Sequence, residues 1–173
     1  MVSEKQAISL LKKYAPSEEV FNKVYKHSKK VQEISLRFAS GKKVDKEFIK
    51  AASLLHDIGR FECPPGKESI KHGIAGASIL RKEGLPEKLA LVCERHLGAG
   101  ISKKDIGGQK LPLPLKDYMP ISAEEKIIAH ADNLVFGDKE GTFEMVLTRF
   151  RKELGEKAAA RLIKLKQEVE NIT

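Results

Sequence analysis

Residues 48–59 read FIKAASLLHDIG and close on Leu54-Leu55-His56-Asp57-Ile58-Gly59. Asp45 stands where an N-cap would, so a helix is expected from there through Leu55, ending near Gly59 ahead of Pro64-Pro65-Gly66. The last turn of that helix is strongly apolar, yet it delivers an imidazole and a carboxylate side by side. Adjacent positions diverge by about 100° around a helix, but both side chains can reach one point beyond its end if an ion sits there. Taken alone, the dipeptide is explained equally well by hydrogen bonds at a helix end.

Helical periodicity and breaker clusters alternate on both sides of this segment, and no stretch combines sustained period-two alternation with β-branched enrichment. An all-α bundle is therefore expected. Ser3 with Gln6 resembles a capping box opening a short helix to Pro16. Ser17 starts the next helix, which Gly41 stops after Ser40. Further helices are expected from about Ser69 to Lys82 and from Pro86 to about Leu97, the latter followed by Gly98 and Gly100. Ser122 with Glu125 is a second capping box, opening a helix that runs to Phe136 before Gly137. Residues 101–120 hold Gly107, Gly108, Pro112, Pro114 and Pro120, and read as a loop over a site or a plain connection. A long C-terminal helix over about 142–172 carries Phe143, Leu147, Phe150, Leu154, Ala158, Leu162, Leu165 and Val169 at helical spacing. It docks on the body or pairs with a partner, which leaves room for a homodimer. Residues 1–173 read as one domain with a core over about 17–137.

Polar residues interrupt the apolar faces of these helices. Val20, Val24, Val31, Ile34 and Phe38 form one stripe in the second helix, and His27 fills its missing position. His72 lies beside Gly73 and Gly76, which allow close backbone approach. His96 follows Val92 by four, and Asp132 follows Ile128 by four. A single such residue is most simply a hydrogen-bonded core histidine, a salt bridge or a cap. Separate helices bringing His or Asp to inner faces with little else polar there would need several independent hydrogen-bonding solutions, whereas one or two divalent ions satisfy all of them. Nitrogen and carboxylate donors suit Mn, Fe, Co, Ni or Zn better than Ca. His130 sits two residues before Asp132, about 200° away around the helix, and should not be a ligand. Cys93 is read as a small buried residue rather than a nucleophile.

The chain has 173 residues, 41% hydrophobic and 32% charged, which suffices for one folded core. Lys+Arg 32 against Asp+Glu 24 gives a formal net charge of +8, suited to phosphates, nucleic acid or an anionic surface. Two cysteines without a CxxC pair, and no secretory pattern, point to a reduced cytoplasmic location. No apolar run approaches the roughly 20 residues needed to span a bilayer, so no membrane partner is expected.

The order His27, His56-Asp57 in LLHDIG, and Asp132 in AHADNL resembles the HD-domain metal-dependent phosphohydrolases over about residues 17–137. KHGIAGA with His72 and CERH with His96 look like the subgroup that holds two metals, which includes bacterial diadenosine tetraphosphate hydrolases. The LPLPLKDYMPISAEEKIIAHADNL stretch looks like uncharacterised archaeal members. The resemblance implies a dinuclear centre on His27, His56, Asp57, His72, His96 and Asp132, with Asp57 bridging. Arg60 stands where those signatures commonly have Lys, and no GYP motif follows, so cyclic dinucleotide hydrolysis of the HD-GYP kind is not implied.

The expected activity is hydrolysis of a phosphoester or phosphoanhydride of a small, nucleotide-like substrate by a metal-activated water. Asp57 and Arg60 are the expected catalytic residues. Arg60 leads the candidates for holding phosphate oxygens, followed by Lys71, Arg95, Lys103 and Lys104. The rival readings are a non-catalytic HD module that senses a nucleotide or metal, and a phosphodiesterase acting on RNA ends or cyclic phosphates through the basic last helix. Glutamates interleave that helix, so a solvated face is favoured over nucleic acid there.

Overall fold

The computed structural model describes residues 2–66 and 68–173. It is all-helical apart from one two-stranded hairpin. Helix α1 spans Glu4–Tyr14, α2 Glu18–Phe38 and α3 Lys46–Leu55. Two 3₁₀ turns, Ile58–Phe61 and Ser69–Lys71, lead into α4 (His72–Lys82), followed by α5 (Glu87–Arg95) and α6 (Lys103–Gln109). Then come α7 (Ala123–Asn133), the strands β1 (Val135–Phe136) and β2 (Lys139–Glu140), α8 (Phe143–Leu154) and α9 (Glu156–Glu170).

Local chemistry sets most boundaries. Ser3 and Gln6 form a reciprocal capping box, while Ser17, Asp45 and Thr142 each accept a backbone N–H three residues on. Ser122 accepts the Glu125 N–H, but the Glu125 carboxylate turns aside to take the Ile121 N–H at 2.7 Å. The expected box is thus only half made, because Arg95 draws the Glu125 carboxylate across to α5 with both oxygens 3.1 Å from its Nη1.

Inner faces of α1–α5 and α7–α9 share one apolar core, with Leu11, Val31, Ile34, Leu54, Leu55, Leu80, Ile127, Ile128 and Leu162 at its centre. The tightest crossings are made by glycine. An added Cβ on Gly73 would come within 2.7 Å of the Cys93 carbonyl oxygen, so α4 lies on α5 closer than side chains permit.

Three expectations need correction. The helix expected over 142–172 is two helices, broken at Gly155, whose φ of +83° ends α8 and admits glycine without strain. The break also turns the apolar stripe: Leu154 is 57% exposed, and Ala159 rather than Ala158 is fully buried. The helix expected to reach Phe136 stops at Asn133, because Gly137 at φ +67° turns the chain and Val135 pairs with Glu140.

The third correction concerns residues 101–120, which contain α6, with Ser102 and Asp105 closing a capping box, and an Ile101–Tyr118 bridge. Ile106, Leu113 and Tyr118 form a satellite cluster against Ile70, Ile74, Ile101 and Leu111, so this strap lies on the chain entering α4. Arg161 of α9 ties it down, reaching Asp105 at 2.7 Å and the Gly100 carbonyl at 2.9 Å.

The Arg161 guanidinium, helped by Ser102, lowers the Asp105 carboxyl to about 2 against its ordinary 3.8. A depressed carboxyl stabilises the fold above the unfolded value, and that stability is lost as pH falls through the folded value. Both side chains retain some exposure, so screening reduces the effect to about 1 kcal/mol. Asp105→Asn should cost about that much in urea unfolding at pH 6, and the difference from wild type should shrink between pH 4 and pH 2. An equal difference at both ends would detach Asp105 from the acid response.

Candidate metal centre

Five helices, or their termini, converge on one point. His27 comes from the middle of α2, His56 and Asp57 from the C-terminal end of α3, and His72 from the start of α4. His96 closes α5, and Asp132 lies in the last turn of α7. The expected polar positions are therefore brought together.

The imidazoles share one orientation for a local reason. His56, His72 and His96 each donate Nδ1–H to the carbonyl three residues earlier, at Ser53 (2.7 Å), Ser69 (2.5 Å) and Cys93 (2.8 Å). His27 donates Nδ1–H to the Gly137 carbonyl at 2.8 Å. A carbonyl only accepts, so each Nδ1 carries a proton, and a ring in its neutral form presents the Nε2 lone pair inward. Backbone partners of this kind are what orient ligating histidines. The i−3 spacing of Ser53, Ser69 and Cys93 is readable in sequence, whereas Gly137 reaches His27 only through the fold.

Inside, the nitrogens meet the carboxylates. His27 Nε2 is 2.9 Å from Asp132 Oδ1 and 3.7 Å from Asp57 Oδ2, and His56 Nε2 is 3.4 Å from Asp132 Oδ1. Asp57 Oδ1 lies 3.1 Å from His72 Nε2 and 3.5 Å from His96 Nε2, and those two nitrogens are 2.9 Å apart. Two inward lone pairs at that separation repel unless a proton or cation stands between them. Among the described residues His56 Nε2 is buried without a hydrogen-bond partner, a cost that an ion would remove.

Three overlapping groups have ligand atoms within 4.8 Å of one another: His27-His56-Asp57, His56-His96-Asp132 and Asp57-His72-His96. These nitrogen and carboxylate donors fit a borderline divalent ion.

Burial opposes charge throughout, and the partners decide where it settles. Burial disfavours charge on His27, but the hydrogen bond to Asp132 outweighs it and raises the pKa to about 9, so a proton stands where a cation would. Burial, joined by His56 and His72, pushes His96 down. Asp57 and Asp132 resist burial and stay ionised, held well below the usual carboxylate range by His72 and His96 and by His27 and His56.

Around the cluster, Arg60 Nε lies 3.3 Å from Asp57 Oδ1, and its Nη1 donates to the Ser69 hydroxyl at 3.1 Å. Lys71 pairs with Glu68, and Lys103 and Lys104 are exposed on α6. Arg95 faces Glu125, so its guanidinium braces α5 against α7. His130 is buried away from the cluster, its ring 5.0 Å from that of Phe38, and burial lowers it to about 4. Cys93 donates its thiol to the Leu55 carbonyl at 3.3 Å, and burial pushes that thiol up, the opposite of activation.

The sequence matches the HD domain family over residues 24–137. It is 44% identical over 170 residues to an uncharacterised protein of Methanocaldococcus jannaschii, covering 96% of each chain. Proteins of Thermoplasma volcanium and Picrophilus torridus named tRNA (cytidine(56)-2'-O)-methyltransferase are 39% and 37% identical. The matches take in 94% and 98% of this chain but only 45% and 47% of theirs, so the chain spans about half their length. In structure it resembles the HD domain of the L. monocytogenes phosphodiesterase PgpH, with TM-score 0.57 and 16% identity over 95% of both chains. The same PgpH domain in complex with cyclic-di-AMP matches with equal TM-score. No helix among the described residues is long and apolar enough to cross a membrane. With the histidines and aspartates converging within the matched region, this chain belongs to the HD domain family.

Proposed function

We propose that the protein is a metal-dependent phosphohydrolase that cleaves a phosphoester or phosphoanhydride of a nucleotide-like substrate. One observation carries this reading: buried, backbone-oriented imidazoles aim their Nε2 atoms at two ionised carboxylates, and His56 Nε2 has no hydrogen-bond partner among the described residues. His27, His56, Asp57, His72, His96 and Asp132 would hold one or two divalent transition-metal ions. Such ions supply Lewis acidity at a phosphoryl oxygen and ease the deprotonation of water. Asp57 faces three of the imidazoles and orients what binds among them. Arg60, held by Asp57 and Ser69, offers its remaining N–H groups to phosphoryl oxygens and stabilises charge that grows on them. The phosphodiesterase name of the PgpH neighbour, and its complex with cyclic-di-AMP, support a nucleotide substrate.

The relatives named for a tRNA methyltransferase favour a second reading, in which the phosphate belongs to RNA, and the net charge of +8 suits it. One experiment addresses both. Protein purified without an affinity tag is analysed for metal, loaded with Mn, and assayed against nucleotide esters, dinucleoside polyphosphates and RNA ending in phosphate or cyclic phosphate. Close to two ions per chain is expected, with turnover that a chelator abolishes and Mn restores. Preferred turnover of the RNA substrates, falling steeply with salt, would favour the second reading. Bound metal without turnover would make the domain a sensor, and absence of both would make the histidines structural.

A further inference from the structure

We infer that Ser69 is a positioning residue that couples the Arg60 guanidinium to the ion site, an inference that rests on the phosphohydrolase reading above. Four residues close a ring. Ser69 Oγ accepts from Arg60 Nη1 at 3.1 Å, and Arg60 Nε faces Asp57 Oδ1 at 3.3 Å. The same Asp57 oxygen lies 3.1 Å from His72 Nε2, and His72 Nδ1 donates to the Ser69 carbonyl at 2.5 Å. Ser69 is the one member without an ionisable side chain, and it contributes twice, with its hydroxyl to the arginine and its backbone to the histidine.

The ring is rigid because its two 3₁₀ turns are locked together. Gly59, in the turn that carries Arg60, approaches so closely that a Cβ there would fall 1.9 Å from the His72 carbonyl oxygen. Arg60 and Ser69 therefore cannot drift apart without moving α4. With Nε and one Nη1 hydrogen occupied, the guanidinium fork has a set direction, and its Nη2 has no hydrogen-bond partner among the described residues. The Ser69 hydroxyl accepts from Arg60 and donates in none of the hydrogen bonds among the described residues, so its proton is free for an anion beside that fork. A terminal or bridging phosphate held by Nη2 and this hydroxyl is presented to the edge of the cluster where Asp57 and His72 meet. Arginine recognises phosphate through fixed fork geometry, so losing that fixation weakens binding even when the charge remains.

The test separates the two halves of Ser69, because Ser69→Ala deletes the hydroxyl and keeps the carbonyl that orients His72. Binding of inorganic phosphate to Mn-loaded protein is measured by calorimetry, alongside metal content, in wild type, Ser69→Ala, Ser69→Thr, Arg60→Ala and the Ser69→Ala/Arg60→Ala double variant. The expected results are unchanged metal content in Ser69→Ala, phosphate binding roughly tenfold weaker, little further loss when Arg60 is already alanine, and near-complete rescue by threonine. Unchanged phosphate affinity, an equal loss in the Arg60→Ala background, loss of metal in Ser69→Ala, or no phosphate binding by loaded wild type would each overturn the assignment. Intact coupling without turnover of any ester would instead defeat the hydrolase reading and leave the ring standing. Turnover with no coupling would defeat Ser69 alone.

Discussion

Asp57→Asn is expected to abolish metal-dependent turnover and to reduce bound metal, while the helical fold persists. The substitution keeps the shape of the side chain and removes its charge. Asp57 Oδ1 faces His72 and His96, Oδ2 faces His27, and these histidines sit on three different helices. An amide turns one of those acceptors into a donor, whose N–H would take up an inward imidazole lone pair that an ion needs. The site would also lose one of the two negative charges that balance a divalent ion. Removing an outer-shell partner of a metal ligand costs about 10–100-fold, so loss of this central carboxylate should exceed about 100-fold in turnover. Metal per chain by elemental analysis, turnover at saturating Mn and the far-ultraviolet circular dichroism spectrum test it together. Wild-type metal content and turnover in a folded variant would remove Asp57 from the centre.

The largest effect on stability is expected from Gly59→Ala. A Cβ there would lie 1.9 Å from the His72 carbonyl oxygen and 2.4 Å from the Gly76 backbone nitrogen. Both are main-chain atoms, so no rotamer change relieves the overlap, and the 58–61 turn must lift off α4. Overpacking ordinarily costs about 1–3 kcal/mol. A backbone collision in a buried turn should reach about 3 kcal/mol or more, a large share of the roughly 5–15 kcal/mol that holds a domain folded. Because Asp57 precedes this turn and His72 follows its contact, metal affinity should fall as well. Gly107 in α6 is the control: nothing lies within 4 Å of its added Cβ and its φ is unstrained, so alanine there should be neutral or slightly stabilising. Urea unfolding of both variants at neutral pH checks this, and a cost below about 1 kcal/mol for Gly59→Ala would refute the close-contact account.

What could be read before the fold, and what could not, divides by the range of the forces involved. Ser3, Ser17 and Asp45 were legible as helix starts because a cap satisfies backbone N–H groups within three residues. The stripe of Val24, Val31 and Ile34 was legible because burial follows helical period, and His27 stood out as its exception. The break at Gly155 was not, since glycine tolerates both helix and turn and only docking of α8 and α9 selects φ +83°. The hairpin at 135–140 and helix α6 are too short to leave a periodic signal. The pairing of Arg95 with Glu125 joins residues 30 apart, beyond any local rule.

The sequence by itself determined that this chain is helical, that His and Asp interrupt its apolar faces, and that nitrogen and carboxylate donors would suit a transition metal. Only the tertiary structure decided that His27 spends its Nδ1 on the Gly137 carbonyl, that His72 and His96 stand 2.9 Å apart across one carboxylate, and that Ser69 closes a ring through Arg60. Composition and periodicity are local, one-dimensional properties, whereas the point at which the lone pairs of separate helices meet, and the Gly137 carbonyl that orients His27, are set by chain segments far apart in sequence.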